Sequence, residues 1–177
     1  MSRLPVAGWL YGTPITPSLA LELRDVDVDL LHAGFPSPYN AFLVSLVSRL
    51  TRIPSVLTWH NDLPAVTRTA GLLVRLHDSL VLPTYIARYG KIISTTDRYA
   101  KESPTLARWR QKVRIVPNGV DCDRFNPNVD GESVRAALAL GDRPTIIFIG
   151  ALTRWHAYKG LDVLLTAFSL LVRTLPS

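Results

Sequence analysis

Apolar residues come along this chain in short runs, set apart by longer stretches with a helical period. Residues 26–33 open with alternating acids and end on Leu30 and Leu31, while residues 55–59, 91–95, 113–116 and 145–149 are short runs rich in Val, Ile and Leu, most of them bounded by Pro, Gly, Asn or Asp. Each reads as a strand. Between them, Leu43, Leu46, Val47 and Leu50 fall at i, i+3, i+4 and i+7, which predicts a helix over 39–52 with one apolar stripe. Leu72, Leu73, Leu76 and Leu80 predict another over 67–82. Pro83 must break or kink it, because proline inside a helix removes a hydrogen bond and costs about 3 kcal/mol; a short helix then runs to Tyr89. Thr16-Pro17 and Ser103-Pro104 each set an N-cap before a proline, predicting short helices over 16–24 and 103–110. A helical stretch is expected around 98–100, and helices over 131–140 and 159–173 flank the strand at 145–149. Residues 1–14, rich in Pro and Gly, read as irregular.

Apolar strands separated by helices predict an α/β fold: a Rossmann-like parallel sheet with helices on both faces. The chain is organised around residues 112–127. Residues 113–116 read as a buried strand; Pro117 has no N–H to donate and ends its ladder. Asn118-Gly119 then accepts positive φ at low cost, so the chain turns sharply. Beyond Asn126-Pro127-Asn128 the alternation of strand and helix begins again. We therefore expect a first domain over 1–121, incomplete at its start, a crossover over 122–130, and the truncated beginning of a second domain over 131–177. One strand cannot make a parallel sheet, so Ile147, Ile149, Leu164 and Phe168 are expected to pack irregularly, to find a partner, or to form an exposed apolar patch.

Composition narrows the class. The 177 residues are 47% hydrophobic and 19% charged, which describes a globular chain with a core and not a disordered one. The net charge is +6, and its basic residues are densest over 88–114, where eight Lys and Arg face only Asp97 and Glu102. A solvated face is the plain account; an anionic membrane surface or an anionic substrate is the sharper one. Zinc-finger spacing and RNP-type aromatics are absent, so a nucleic-acid partner is not expected. The single cysteine, Cys122, excludes an internal disulfide and fits a reducing compartment. The longest charge-free stretch, 30–48, is split by Pro36, Pro38 and Asn40 and does not read as a membrane span. Arg3 is a thin basic region, and Pro5, Gly8, Gly12 and Pro14 interrupt the apolar run beyond it, so no signal peptide is read.

Ligands of parallel sheets sit at the carboxyl ends of the strands. That rule selects the loops after Ala33, Trp59, Thr95 and Ile149. The last carries the most chemistry: Gly150, then Thr153 to Tyr158, then Lys159-Gly160-Leu161-Asp162 at a helix start. Free N–H groups at a helix N-terminus, a lysine beside them and a glycine admitting close approach suit a diphosphate. An ordinary strand–loop–helix with a solvent-facing lysine is the alternative. The G-x-G-x-x-G and Walker patterns are absent. His32, His77, His156 and Cys122 share no ligand spacing, so no metal site is expected, and no nucleophile-elbow serine is present.

These residues also carry a resemblance. Val113-Arg114-Ile115-Val116-Pro117-Asn118-Gly119-Val120-Asp121, then Phe125, then Ile147-Phe148-Ile149-Gly150, then Lys159-Gly160-Leu161-Asp162-Val163-Leu164-Leu165-Thr166-Ala167 resemble glycosyltransferase family 4, or group 1. Asp27-Val28-Asp29-Leu30-Leu31-His32 and Val56-Leu57-Thr58-Trp59-His60-Asn61-Asp62 resemble N-terminal-domain strands of that family. The likeness covers roughly residues 25–176. It implies a GT-B fold and a retaining transfer of sugar from a nucleoside-diphosphate sugar to a sugar, lipid or glycan acceptor, with no tightly bound cofactor. The setting implied is cytoplasmic, with peripheral contact at the inner membrane face. By the resemblance, Lys159 holds the donor diphosphate while Gly150 and Gly160 give it room. His60 lies near the acceptor or the transferring sugar, with Asp62 a second catalytic candidate beside it. Asn118, Gly119 and Asp121 are structural.

The sequence departs from the family in two respects. The position after the strand-end glycine, usually arginine, is Ala151 here, and Arg154 is the candidate to stand in for it. The family's first strand and glycine-rich loop would precede Met1, and its acidic motif would follow Ser177, so the chain is expected to be a fragment with little or no turnover by itself. A non-catalytic Rossmann-like binding or regulatory module with a basic face is the alternative.

Overall fold

The computed structural model describes residues 3–10, 13–63, 67–152 and 154–174. They fall into two compact units, Met1–Gly119 and Val120–Ser177.

The first unit opens with an antiparallel hairpin, β1 (Gly8–Leu10) and β2 (Thr13–Ile15), where the sequence suggested irregular chain. A short helix, α1 (Leu19–Arg24), follows. The sheet is built from β3 (Leu31–Phe35), β4 (Ser55–Trp59), β5 (Lys91–Ser94) and β6 (Val113–Ile115), in that order and all parallel. β3 starts later than its apolar pattern suggests. The cause is register: Leu31 to Phe35 pair one for one with Ser55 to Trp59, and Leu31 N donates to Pro54 O at 2.9 Å. Asp27 and Asp29 lie ahead of the ladder, exposed.

The crossovers are α2 (Pro38–Thr51), then α3 (Arg68–Leu76) with α4 (Leu82–Ile86), then α5 (Asp97–Glu102) with α6 (Pro104–Arg108). A parallel crossover is right-handed. With strands added always on the same side, all three crossovers fall on one face of the sheet. That face holds the core: Leu31, Ala33 and Phe35 of β3, Leu57 and Trp59 of β4, and Ile92 of β5 are buried against Tyr85, Ile86, Tyr89 and Leu106. The opposite face, with His32, Gly34, Val56, Thr58 and Ile93, is half-buried or exposed.

α2 sits on the sheet by a different face from the one its leucines mark. Ala41, Val44, Ser45, Val47 and Ser48 are buried, while Leu50 is 71% exposed. Small side chains let the helix axis approach β3 and β4, and the bulkier Leu43 and Leu46 are left half-buried on its flanks. The break expected at Pro83 takes the form of a π turn, His77–Val81, in which Leu82 N donates to His77 O. Pro83 is the second residue of α4, where a missing N–H costs nothing.

β6 is an edge strand, not a buried one. Val113 is half-buried, and Arg114 and Ile115 are exposed, since no further strand pairs beyond it among the described residues. Val116 N still donates to Ser94 O at 3.0 Å, and Pro117 then ends the ladder as its chemistry requires.

The second unit contains α7 (Glu132–Ala137), a 3-10 turn (Arg154–Lys159) and α8 (Leu161–Thr174). Residues 145–149, predicted as a strand, form none: among the described residues no neighbouring strand takes up their backbone groups. Ile147 and Ile149 are 76% and 89% exposed, and α8 buries none of its residues. The helix expected from Lys159 begins two residues later, because Gly160 adopts φ +71.

Candidate functional site

The carboxyl ends of β3 and β4 are fastened to each other. Phe35 and Trp59, the last residues of the two strands, are a register pair and stack with ring centroids 3.8 Å apart. His60 N donates to Phe35 O at 3.0 Å. The Phe35–Pro36 peptide is cis, and α2 begins with Pro38. The hydrogen bond to Phe35 O sets where His60 leaves the sheet. Its side chain is exposed and makes no hydrogen bond or ion pair among the described residues.

Asp62, the other candidate on this loop, is in a different situation. Its Oδ1 accepts from Trp59 Nε1 at 3.2 Å and from Ser103 Oγ at 2.9 Å, and its Oδ2 accepts from Tyr99 OH at 3.0 Å. Its own backbone N–H donates to that same Tyr99 oxygen at 2.6 Å. Three donors on one carboxylate make a charge-assisted tether between this loop and the α5–α6 corner. Thr96 and Ser103 brace the corner: their hydroxyls accept from Tyr99 N and Leu106 N as N-caps. Burial, and then the Asp62 charge and hydrogen bond, push the Tyr99 phenol up to about 12. Tyr99 and Ser103 were not legible as partners of Asp62: the Ser103-Pro104 cap was readable, but nothing local marks a contact across 37 or 41 positions.

In the second unit, Gly150 and Lys159 are brought together. A Cβ at Gly150 would lie 3.0 Å from the Phe148 ring and 3.3 Å from Lys159 Cδ, so the lysine stem passes over the glycine. The Lys159 ammonium is exposed and without a hydrogen bond or ion pair among the described residues. Gly160 N donates to Ala157 O, and Gly160 O accepts from Leu164 N, each at 3.0 Å, which makes Gly160 the N-cap of α8. The first amides of α8 have no acceptor within the helix and can donate to an anion. Arg154 opens the 3-10 turn; its side chain, like Thr153 and the His156 imidazole, lies outside the described residues. Ala151 is exposed. Asp121 Oδ1 accepts from Asp123 N at 3.1 Å and Arg124 N at 3.0 Å, closing a turn.

Four of the eight cations over 88–114 are engaged. Arg98 pairs with Glu102 and Lys101 with Asp97, while Lys112 Nζ donates to the carbonyls of Ala87 and Tyr89, and Arg114 to that of Val113. No group of three or more His, Cys, Asp and Glu that could hold a metal occurs among the described residues. No helix among them is long and apolar enough to cross a membrane.

Three known proteins resemble the chain over most of its length. It is 34% identical over 181 aligned positions to a GDP-mannose-dependent alpha-(1-6)-phosphatidylinositol monomannoside mannosyltransferase of Mycolicibacterium smegmatis, covering 98% of this chain and 43% of that protein. It is 28% identical to O-antigen chain mannosyltransferase C of Escherichia coli, over 82% of this chain and 36% of the relative. It is 26% identical to D-rhamnosyltransferase WbpZ of Pseudomonas aeruginosa, over 89% of this chain and 39% of that protein. The chain thus spans about two fifths of the length of the curated relatives it matches. The family described as Glycosyltransferase Family 4 matches residues 2–124. That match takes in β3, β4 and their fastened ends, the whole parallel sheet and the turn after it: the chain belongs to glycosyltransferase family 4.

Proposed function

We propose that the full-length protein is a retaining sugar transferase, moving a hexose from a nucleoside-diphosphate sugar to a sugar, lipid or glycan acceptor in glycolipid, polysaccharide or cell-envelope glycan synthesis. The bond from the anomeric carbon to the diphosphate breaks, a bond from that carbon to an acceptor oxygen forms, and the acceptor hydroxyl loses its proton. Residues 1–121 form the acceptor-side domain, 122–130 the crossover, and 131–177 begin the nucleotide-sugar domain. The setting is cytoplasmic, with peripheral contact at the inner membrane face. A binding module built on a basic face is disfavoured, since the relatives are named sugar transferases and four of the eight cations of that run are engaged in local contacts.

The observation that carries the proposal is the lysine stem lying over Gly150 beside the N-terminus of α8. A cation and a set of unpaired amides at one place stabilise the charge that develops on a departing diphosphate. Gly150 keeps the stem close, Gly160 turns the chain into the helix, and Arg154 adds a second cation. His60 is the catalytic candidate of the first unit, because its imidazole is exposed and has no hydrogen bond or ion pair among the described residues, while its backbone is fixed. Asp62 acts by holding the His60 loop, since its carboxylate already carries three donors.

Two of the relatives are named mannosyltransferases, one of them GDP-mannose-dependent, so GDP-mannose is the first donor to test. Calorimetric titration of the full-length protein and its Lys159→Ala variant tests the assignment. The variant should bind the nucleotide sugar about tenfold or more weakly, and an unchanged affinity overturns the diphosphate role.

A further inference from the structure

α3 is turned inside out. A surface helix of a globular unit puts its large apolar residues inward and its polar ones outward. Here the inward side is Ala70, Gly71 and Val74, and Val74 is the buried residue of the helix. Leu72, Leu73, Leu76 and Leu80 point out, between 47% and 67% exposed. Leu72, Leu76 and Leu80 follow one another at intervals of four, so they form a stripe running through α3 into the π turn.

We infer that this stripe is a docking surface for an anionic lipid bilayer. Its borders decide the partner. Arg68 and Arg75 are exposed at one edge of the stripe. The one acid between residues 67 and 81 is Asp78, and its carboxylate is held by His77 Nδ1 at 2.8 Å. Leucines bordered by arginines with no free acid among them match a lipid interface, where apolar side chains enter the acyl boundary and cations meet anionic headgroups. A second copy of the chain docked on this face would bring like-charged rims together, and the one acid of residues 67–81, Asp78, is already engaged by His77. The apolar surface also continues inward. Leu73 and Val81 line a groove of about 450 Å³ with Leu10, Phe42 and Leu63, and Leu63 follows the Asp62 tether directly. An acyl chain entering there would run toward the fastened ends of β3 and β4.

This deepens the peripheral membrane contact of the proposed transferase and locates it away from the 88–114 run. Its test reads lipid binding and not sugar transfer, so it can fail while the transferase assignment stands. The chain is sedimented with vesicles of phosphatidylcholine, with and without phosphatidylglycerol. The triple substitution Leu72→Ser, Leu76→Ser, Leu80→Ser should lower partitioning on the order of a hundredfold on both vesicle types. The pair Arg68→Gln, Arg75→Gln should lower it about thirtyfold on the anionic vesicles and leave the neutral ones unchanged. Circular dichroism and thermal melting confirm that the variants fold. In a separate variant, Leu76→Trp, emission should be quenched by brominated acyl chains. Unchanged partitioning of the folded leucine variant overturns the inference, as does a Leu76→Trp signal blind to brominated lipid. So does a halving of the solution mass in the leucine variant, which would assign the face to a second copy.

Discussion

Asp62 and Tyr99 hold each other twice: the Tyr99 hydroxyl accepts from the Asp62 backbone N–H at 2.6 Å and donates to the Asp62 carboxylate at 3.0 Å. One side chain thereby fixes the loop that leaves β4 at His60, holding it by both the backbone and the carboxylate of Asp62. With Ser103 and Trp59 on the other carboxylate oxygen, the loop is tied to the α5–α6 corner and to its own strand.

If Asp62 is a tether, its removal is a stability event first. Asp62→Ala should cost about 2–3 kcal/mol, since it strands three partly buried donors, whereas His60→Ala should cost less than about 0.5 kcal/mol. Urea unfolding of the two variants measures both. A near-neutral Asp62→Ala would return the carboxylate to the residues free to act in catalysis.

The same pair sets a pH dependence. Tyr99 ionises near 10.0 in the unfolded chain and at about 12 in the folded one. Below pH 10 both states hold the proton and its contribution is fully present; between about 10 and 12 the unfolded state alone releases it, so stability falls through that window. Tyr85 and Tyr89 are raised by burial and act in the same direction. Tyr99→Phe should flatten part of the alkaline decline in unfolding free energy, while costing about 1–2 kcal/mol at neutral pH. A slope equal to that of the unsubstituted chain would contradict it.

The rotation of α2 makes a contrast testable by two conservative changes. Val44→Ala removes buried methyl groups against the sheet and should cost about 1.5–2.5 kcal/mol. Leu50→Ala, although it removes more apolar carbon, should stay within about 0.5 kcal/mol, because Leu50 is exposed. Thermal melting that ranked Leu50→Ala as the worse change would place the apolar stripe of the sequence back on the sheet.

α2 ends on Arg52 at φ 63, a left-handed position. Such a conformation costs a side-chain-bearing residue about 1–2 kcal/mol, and glycine adopts it freely. Arg52→Gly is expected to raise stability by up to about 1 kcal/mol, read from the denaturant midpoint, and a fall of that size would show that the arginine side chain does more than end the helix.

At Gly150 the expected effect is local. A methyl there meets the Phe148 ring and the Lys159 stem, so Gly150→Ala should weaken donor binding by the full-length protein severalfold while leaving melting of the first unit unchanged. Calorimetry with the same nucleotide sugar reads the first effect and thermal melting the second.

Much of where the strands fall along the chain, and the turn that follows the last of the sheet, could be read in the sequence, because each rests on local chemistry. The apolar run of β4 sits between Pro54 and His60, Ser103-Pro104 caps α6, and Pro117 ends the ladder of β6 because it has no N–H to give. What depended on neighbours was not there to be read. β3 slid toward Phe35 to meet β4 in register, and α2 turned its small residues to the sheet because close approach outweighed the leucine pattern. Residues 145–149 carry a strand's composition without a strand beside them, and a ladder needs two. The site divided in the same way. His60, Asp62, Gly150 and Lys159 were visible as residue types at strand ends and a helix start. That Asp62 is bound by Tyr99 across the fold, that the His60 side chain is exposed, and that the Lys159 stem crosses Gly150 were settled by tertiary packing, which joins groups whose separation along the chain carries no local signal.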